Sequence, residues 1–173
     1  MRGRWIVVQC LLLGAAAAFA VGCGYQPLGA TGSAEGGPRV AVEPITNETF
    51  RPGVQGAVAG ALLRQLRLRG ILRSPEAGPP DVILSGSVTA YLNEAIAFNV
   101  QDIGRRFRVR VTVSATLVGR ADGKVRLKEV VVGEAFYTAG TTAAGTRTAE
   151  DEAVQGAAQD AASKLVARLL EEW

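Results

Sequence analysis

The sequence predicts a two-layer α/β sandwich, in which two helices pack on one face of a four-stranded mixed sheet. Three observations indicate this fold class: stretches that alternate between apolar and polar residues, two stretches with helical apolar spacing, and a strand–helix–strand–strand–strand–helix order. A helix between the first two strands permits parallel pairing, whereas short connections favour antiparallel pairing. The sheet face opposite the helices is then left for solvent or for a partner.

The first strand and the first helix follow a glycine-rich segment. Val40 and Val42 are the apolar points of the strand, and Pro44 marks its end or an edge because proline has no amide proton to donate. The helix is predicted over residues 54–69, with Gly70 as its C-terminal stop. Its apolar face recurs every four residues, as expected for an amphipathic helix, at Val54, Val58, Leu62 and Leu66.

Three further strands are predicted over residues 81–95, 105–118 and about 124–137. The middle one, RRFRVRVTVSATLV, alternates strictly, so its apolar residues face one way and its arginines and hydroxyl residues face the other. An Asp122-Gly123 pair predicts the hairpin turn before the last strand. The three valines at 130–132 leave the phase of that strand open, and a β-bulge there is one explanation.

The chain ends in a second predicted helix. Thr148 is the predicted N-cap, and the acidic residues of 150–152 suit the positive end of the helix dipole. The buried stripe of this helix is predicted to be Val154, Ala158, Ala161, Leu165 and Leu169.

The N-terminus has the three parts of a secretory signal: a basic start, an apolar stretch and small residues at its end. Val21-Gly22-Cys23 resembles the lipobox of bacterial lipoproteins, in which the cysteine thiol is acylated, with palmitate among the acyl chains, and the chain is cut just before it. We therefore expect a signal peptide over 1–22 that is removed, an acylated N-terminus and flexible tether over 23–38, and a folded domain over 39–173. The alternative is an ordinary signal peptide or an uncleaved anchor.

Composition excludes several classes of function. Removal of residues 1–22 would leave 17 basic and 16 acidic residues, a net charge of +1. The chain has no histidine, and acylation of Cys23 would leave no free thiol, so the usual ligands of a metal site and the commonest general base are absent. No phosphate-binding loop or nucleophile elbow is present. We expect no enzyme, no metal or other cofactor and, because export removes access to it, no nucleic-acid partner.

Four quoted segments occur in an order that carries a family resemblance. They are CGYQPLG at the acylation site, VAVEPITNETFRPGVQGAVAGAL, RRFRVRVTVSATLV and an alanine-rich last helix ending in LLEEW. Asn47 and Thr49 after the first strand, and Pro52-Gly53 before the helix, are the most telling residues. In this order the segments resemble the LPS-assembly lipoprotein family LptE.

The resemblance implies a domain without catalytic activity that sits as a plug inside the outer-membrane β-barrel LptD. It also implies that the domain assists assembly of the barrel and binds lipopolysaccharide during transport to the outer leaflet. The expected location is the outer membrane, with a lipid anchor and with the domain facing the periplasm and the barrel lumen. Gly24 agrees with this location, since it is not the aspartate that commonly retains lipoproteins in the inner membrane.

The candidate site is the basic segment 105–128, which carries eight basic residues and one acid. On the two strands of the predicted hairpin these residues would form rows of positive charge on one sheet face. Like charges opposite one another are destabilising, so such rows favour the binding of an anion. Guanidinium groups suit phosphate, so lipopolysaccharide is one expected ligand; barrel contact and a plain solvated face are the alternatives. The candidates for lipopolysaccharide or partner binding are Arg106, Arg108, Arg110, Lys124, Arg126 and Lys128.

A second class of function also fits the sequence. Outer-membrane lipoproteins that activate cell-wall synthases or form secretion pores likewise begin with an apolar strand and an Asn-Thr turn before a helix. Such a protein would use a similar α/β domain to bind another protein and not a lipid.

Overall fold

The computed structural model describes residues 39–72, 78–98 and 104–171. In chain order the elements are β1 (Val40–Val42), β2 (Thr46–Asn47), α1 (Val54–Leu68), β3 (Val82–Phe98), β4 (Gly104–Gly119), β5 (Val125–Thr138) and α2 (Ala143–Glu171). Two helices pack on one mixed sheet, which confirms the predicted fold class. The expected signal peptide, the acylation site and the tether lie outside the described residues.

The sheet has five strands where four were predicted, because the first predicted strand is divided in two. β1 and β2 both pair in parallel with β3, through Val40 opposite Val82 and Thr46 opposite Ser87. Pro44 lies between the two pieces, where its missing amide proton interrupts the pairing. β3, β4 and β5 are antiparallel neighbours, so the strand order is β1-β3-β4-β5 with β2 beside β3.

The turn between β2 and α1 is held by the side chain of Asn47. Its Oδ1 accepts hydrogen bonds from the amide of Thr49 at 2.9 Å and from the Thr49 hydroxyl at 2.8 Å. Its Nδ2 donates to the carbonyl of Arg51 at 2.9 Å. Gly53 then precedes the helix at φ +80°, which glycine adopts without steric cost. Asn47, Thr49 and Gly53 therefore have a structural role in this turn.

The core lies between the sheet and the helices, as the periodicity predicts. The predicted apolar faces of both helices are buried, and the β4 residues from Val109 to Leu117 that alternate inward are buried against them. Phe107 is only half-buried, and its ring stacks on that of Tyr137 at 5.0 Å. The opposite face of the sheet carries no helix in the described part of the chain.

The predicted start of the last helix was wrong by six residues, more than one and a half turns. The helix begins at Ala143, and Thr148 lies inside it, where its hydroxyl donates to the carbonyl of Ala144 at 3.2 Å. The hydroxyl of Thr142 accepts from the amide of Gly145 at 3.1 Å and so caps the helix instead. Two threonines offered similar capping chemistry, and the acidic residues favoured the wrong one.

The three valines of β5 do not form a bulge. Val131 is buried while Val130 and Val132 are exposed, so the strand keeps its two-residue period through this stretch. The register shift lies nearer the turn, where Leu117 pairs with Leu127 but Val118 pairs with Val125.

The outer edge of β5 is covered by the side chains of α2. The amide of Glu134 donates to Asp160 at 2.9 Å, and Lys164 donates to the carbonyl of Val132 at 2.8 Å. Asp160 and Lys164 also form an ion pair at 2.6 Å. These contacts satisfy edge peptide groups that would otherwise be open to another strand.

Candidate functional site

The candidate site lies on the sheet face that the helices leave open. β4 is the central strand of the three long ones, and its residues between the buried positions point toward this face. From the far end of the strand toward the hairpin turn these are Arg106, Arg108, Arg110, Thr112, Ser114 and Thr116. The predicted separation of the β4 residues into a core side and a polar side is therefore confirmed.

Arg106, Arg108 and Arg110, here called the arginine cluster, share an acidic neighbour on β3. Glu94 lies directly opposite Arg108 in the strand register. The Nε of Arg108 donates to Glu94 at 2.8 Å, and Arg110 forms an ion pair with the same oxygen at 3.3 Å. The hydrogen bond from Arg108 holds the pKa of Glu94 below its usual value, so this pairing persists at neutral pH.

Glu94 does not saturate the cluster. The Nε of Arg110 is buried and has no hydrogen-bond partner among the described residues. The side chains of Arg108, Arg110 and Glu94 each keep about a third of their surface exposed. Glu94 thus faces two guanidinium groups, and Glu134 of β5 lies opposite Arg110 but forms no ion pair with any described residue. The three arginines outnumber these two carboxylates, so the cluster keeps a positive charge and exposed guanidinium surface for an external anion.

Large apolar side chains flank the arginine cluster on both neighbouring strands. Leu92 of β3 lies opposite Arg110, and Phe136 of β5 lies opposite Arg108. Both side chains are substantially exposed, at 43% and 50%. The guanidinium of Arg106 lies 5.4 Å from the centre of the Phe136 ring, within the range of a cation–π contact. The cluster is therefore amphipathic, which its charge pattern alone did not indicate.

The other three predicted candidates lie elsewhere on the hairpin. Lys124 is in the turn before β5, Arg126 pairs with Asp122 at 2.8 Å, and Lys128 lies opposite Thr116. Arg110 lies six residues from Thr116 along β4, a separation of about 20 Å in an extended strand. The expected opposing rows of charge are thus two separate groups, at opposite ends of the hairpin.

Sequence reasoning missed Glu94, Leu92 and Phe136. Glu94 is the single acidic residue of β3 and so stood out, but its partner depends on the register between β3 and β4.

Within the described ranges, no three acidic, cysteine or histidine side chains come together as metal ligands. No helix in those ranges is long and apolar enough to cross a membrane.

A family model described as LptE, lipopolysaccharide-assembly, matches residues 38–169. The chain belongs to the LptE family. The matched residues run from just before β1 to the last turn of α2, so they include the arginine cluster, Glu94 and the turn at Asn47. This match confirms the family resemblance, whereas the quoted segment CGYQPLG lies before the matched residues.

Solved structures of low sequence identity share the LptE-family fold of this chain. The rare lipoprotein B from Shewanella oneidensis is 10% identical, with a TM-score of 0.53 over 76% of this chain and 95% of that one. A Xanthomonas campestris protein is 13% identical, with a TM-score of 0.54 over 78% of this chain and 85% of that one. No curated protein shows significant sequence similarity to this chain.

Proposed function

We propose that this LptE-family chain is an outer-membrane lipoprotein, acylated at Cys23, that binds lipopolysaccharide during its transport and plugs the barrel LptD. The observation that carries the lipid-binding part is the arginine cluster with exposed apolar side chains on both sides. The proposed protein holds and positions its ligand and has no catalytic role.

The chemistry of the cluster fits one end of lipopolysaccharide. Lipid A presents phosphates next to acyl chains, so a complementary surface needs cations beside apolar groups. Guanidinium groups bind phosphate through paired donors, and Leu92 and Phe136 lie one strand away from Arg110 and Arg108. Lys124, Arg126 and Lys128 lie too far along the hairpin to contact the same phosphate, so we assign them to other contacts.

Glu94 gives this proposed site a resident anion. It occupies donors of Arg108 and Arg110 when no ligand is bound, and so keeps two like charges together on one sheet face. A phosphate would compete with this carboxylate for the same donors. The ion pairs of Glu94 with Arg108 and Arg110 therefore keep the arginines in position but lower the affinity for a phosphate ligand.

Neutral replacement of both arginines tests the site. We expect Arg108→Gln/Arg110→Gln to lower the affinity of the purified protein for lipopolysaccharide by at least about tenfold, since a hydrogen bond to a charged group contributes roughly 1.5–3 kcal/mol. Glutamine is preferred to a charge reversal, which would place new carboxylates beside Glu94. The matched control is Arg64→Gln/Arg147→Gln, which removes the same charge from exposed helix positions.

Glu94→Gln extends the same measurement in the opposite direction. It removes the competing carboxylate and is expected to raise the affinity for lipopolysaccharide. Binding that is unchanged in the arginine variant, with circular dichroism showing an intact fold, would assign the arginines to the barrel wall or to solvent. Equal losses of affinity in the arginine variant and in its control would show that net charge alone, and not the arginine cluster, determines binding.

The proposed partnership with LptD makes a separate prediction. Full-length protein carrying a tag and extracted from native membranes is expected to retain LptD in a one-to-one complex. The arginine cluster end of β4 is expected to be protected from protease in that complex, because the domain would lie inside the barrel. Recovery of a cell-wall synthase or a secretion-pore component in place of a barrel would favour the alternative function as a protein-binding lipoprotein.

A further inference from the structure

One end of the domain, here called the tether end, joins four segments that are distant in sequence. Leu72 forms an isolated bridge with Val40, Val40 pairs with Val82, and Val82 pairs with Gly119. This row places the segment after α1, the start of β1, the start of β3 and the end of β4 in that order across one end of the domain. It also contains Arg39, the first described residue, so the preceding chain is joined to the domain at this end.

Among the described residues, cations outnumber acids at the tether end. Arg39 pairs with Asp81 at 3.0 Å and Arg126 with Asp122 at 2.8 Å, so each of these two acids is already neutralised by a cation. Four further exposed cations form no ion pair with any described residue: Arg67, Arg69, Arg120 and Lys124. α1 itself contains no acidic residue. The described part of this end therefore carries an unbalanced positive charge.

Two exposed apolar side chains lie among these cations. Leu68, at the last position of α1, is 78% exposed, and Val125, at the first position of β5, is 60% exposed. Arg67 and Arg69 flank Leu68 in sequence, and Lys124 precedes Val125. Apolar side chains bordered by cations are typical of surfaces that rest in the headgroup region of an anionic membrane.

We propose that the tether end docks on the anionic phospholipid headgroups of the leaflet that holds the Cys23 anchor. The proposal rests on the anchor of the proposed function for its choice of membrane. A chain over residues 23–38 spans at most about 58 Å when extended, so acylation at Cys23 keeps this end of the domain within reach of the headgroups. The tether alone leaves the orientation of the domain open, and the cations and Leu68 supply the contact that selects one orientation.

Docking at this end directs the arginine cluster away from the membrane surface. Along β3 the tether end is at Val82, whereas the arginine cluster ends at Arg106, opposite Ala97. Along β4 the same span runs over thirteen residues, from Gly119 to Arg106, and corresponds to about 43 Å. The two groups of cations thus differ in function: those of the tether end bind the headgroups, and those of the arginine cluster lie at a distance from the membrane surface.

The test uses the full-length protein reconstituted into vesicles of phosphatidylethanolamine and phosphatidylglycerol that contain a photoactivatable phosphatidylglycerol. We expect crosslinks, mapped by mass spectrometry, in peptides covering residues 64–72 and 119–126. Arg67→Gln/Arg69→Gln is expected to lower their yield at least about fivefold, and high salt should do the same. The matched control Arg105→Gln/Arg147→Gln removes equal charge from exposed positions outside the tether end and should leave the yield unchanged.

The outcomes separate this docking from the anchor. Tether-end crosslinks that persist at lower yield in Cys23→Ser protein, which has no thiol to acylate, support the docking independently of the anchor. Crosslinks concentrated in residues 91–98 and 104–110, or spread evenly over the domain, would overturn it, even where the mass of the N-terminal peptide shows an intact acylated cysteine. Equal losses in the variant and its control would also overturn it, since net charge alone would then explain binding.

Discussion

Cys23→Ser is expected to abolish acylation and to release the protein from the membrane fraction or leave it uncut. The reason is the size of the hydrophobic contribution from acyl chains, at roughly 0.8 kcal/mol for each buried methylene group. One chain attaches a protein only weakly and reversibly, whereas several chains on one cysteine hold it stably. Serine at this position offers no thiol to acylate, so the whole of that contribution is lost.

The measurement is membrane fractionation together with the intact mass of the mature protein. Cys10→Ser is the matched control, because Cys10 lies within the expected signal peptide and would be removed with it. Cys10→Ser protein should therefore mature and fractionate normally. Normal maturation and membrane retention of Cys23→Ser protein would refute the lipoprotein prediction for residues 1–23.

Among glycine-to-alanine substitutions at the described glycines, Gly133→Ala is expected to lower the free energy of unfolding most, because an added Cβ meets its nearest neighbour at the shortest distance there. Gly133 lies in β5 where α2 passes over the sheet, and a Cβ there would lie 1.9 Å from the carbonyl oxygen of Ala157 and 2.6 Å from the amide of Ala161. Both are helix backbone atoms, which move only if the whole helix moves. Overpacking of this kind typically costs about 1–3 kcal/mol and sometimes more, and we expect the upper end of that range.

Gly56→Ala is the matched control, since the same methyl group is added where no neighbouring atom lies within 4 Å. Gly56 is in α1, and alanine in a helix is favoured over glycine by up to about 1 kcal/mol, so this variant should be slightly more stable. Urea unfolding followed by circular dichroism measures both changes in the free energy of unfolding. A Gly133→Ala protein as stable as the unchanged one would show that α2 does not pack as closely on β5 as described.

The candidate site shows how far charge in a sequence can be interpreted. The alternation of β4 correctly assigned Arg106, Arg108 and Arg110 to the open face, because side chains of a strand point to opposite sides in turn. The pattern gave no means of finding Glu94, since its contact with Arg108 depends on which residues of β3 and β4 are paired. The expected rows of charge were separated for the same reason: pairing across an antiparallel hairpin brings Lys128 to Thr116 and not to Arg110.

Local periodicity was sufficient for the order of elements, the buried faces of both helices and the fold class. These follow from one repeating physical requirement, which is that apolar side chains at the period of a helix or strand must share a buried face. Local chemistry was weaker at the boundaries. Pro44 predicted a break but not the second short strand beyond it, and Thr148 was chosen as a cap where Thr142 serves.

By itself the sequence determined the two-layer class, the open polar face of β4 and the family resemblance that the match over residues 38–169 confirms. Only the tertiary structure decided which distant residues meet. Parallel pairing of β1 with β3 brings Arg39 to Asp81, and antiparallel pairing gives Arg108 and Arg110 a shared carboxylate. The physical reason is that a side-chain contact between strands depends on register, and register is set by the packing of the whole sheet against its helices.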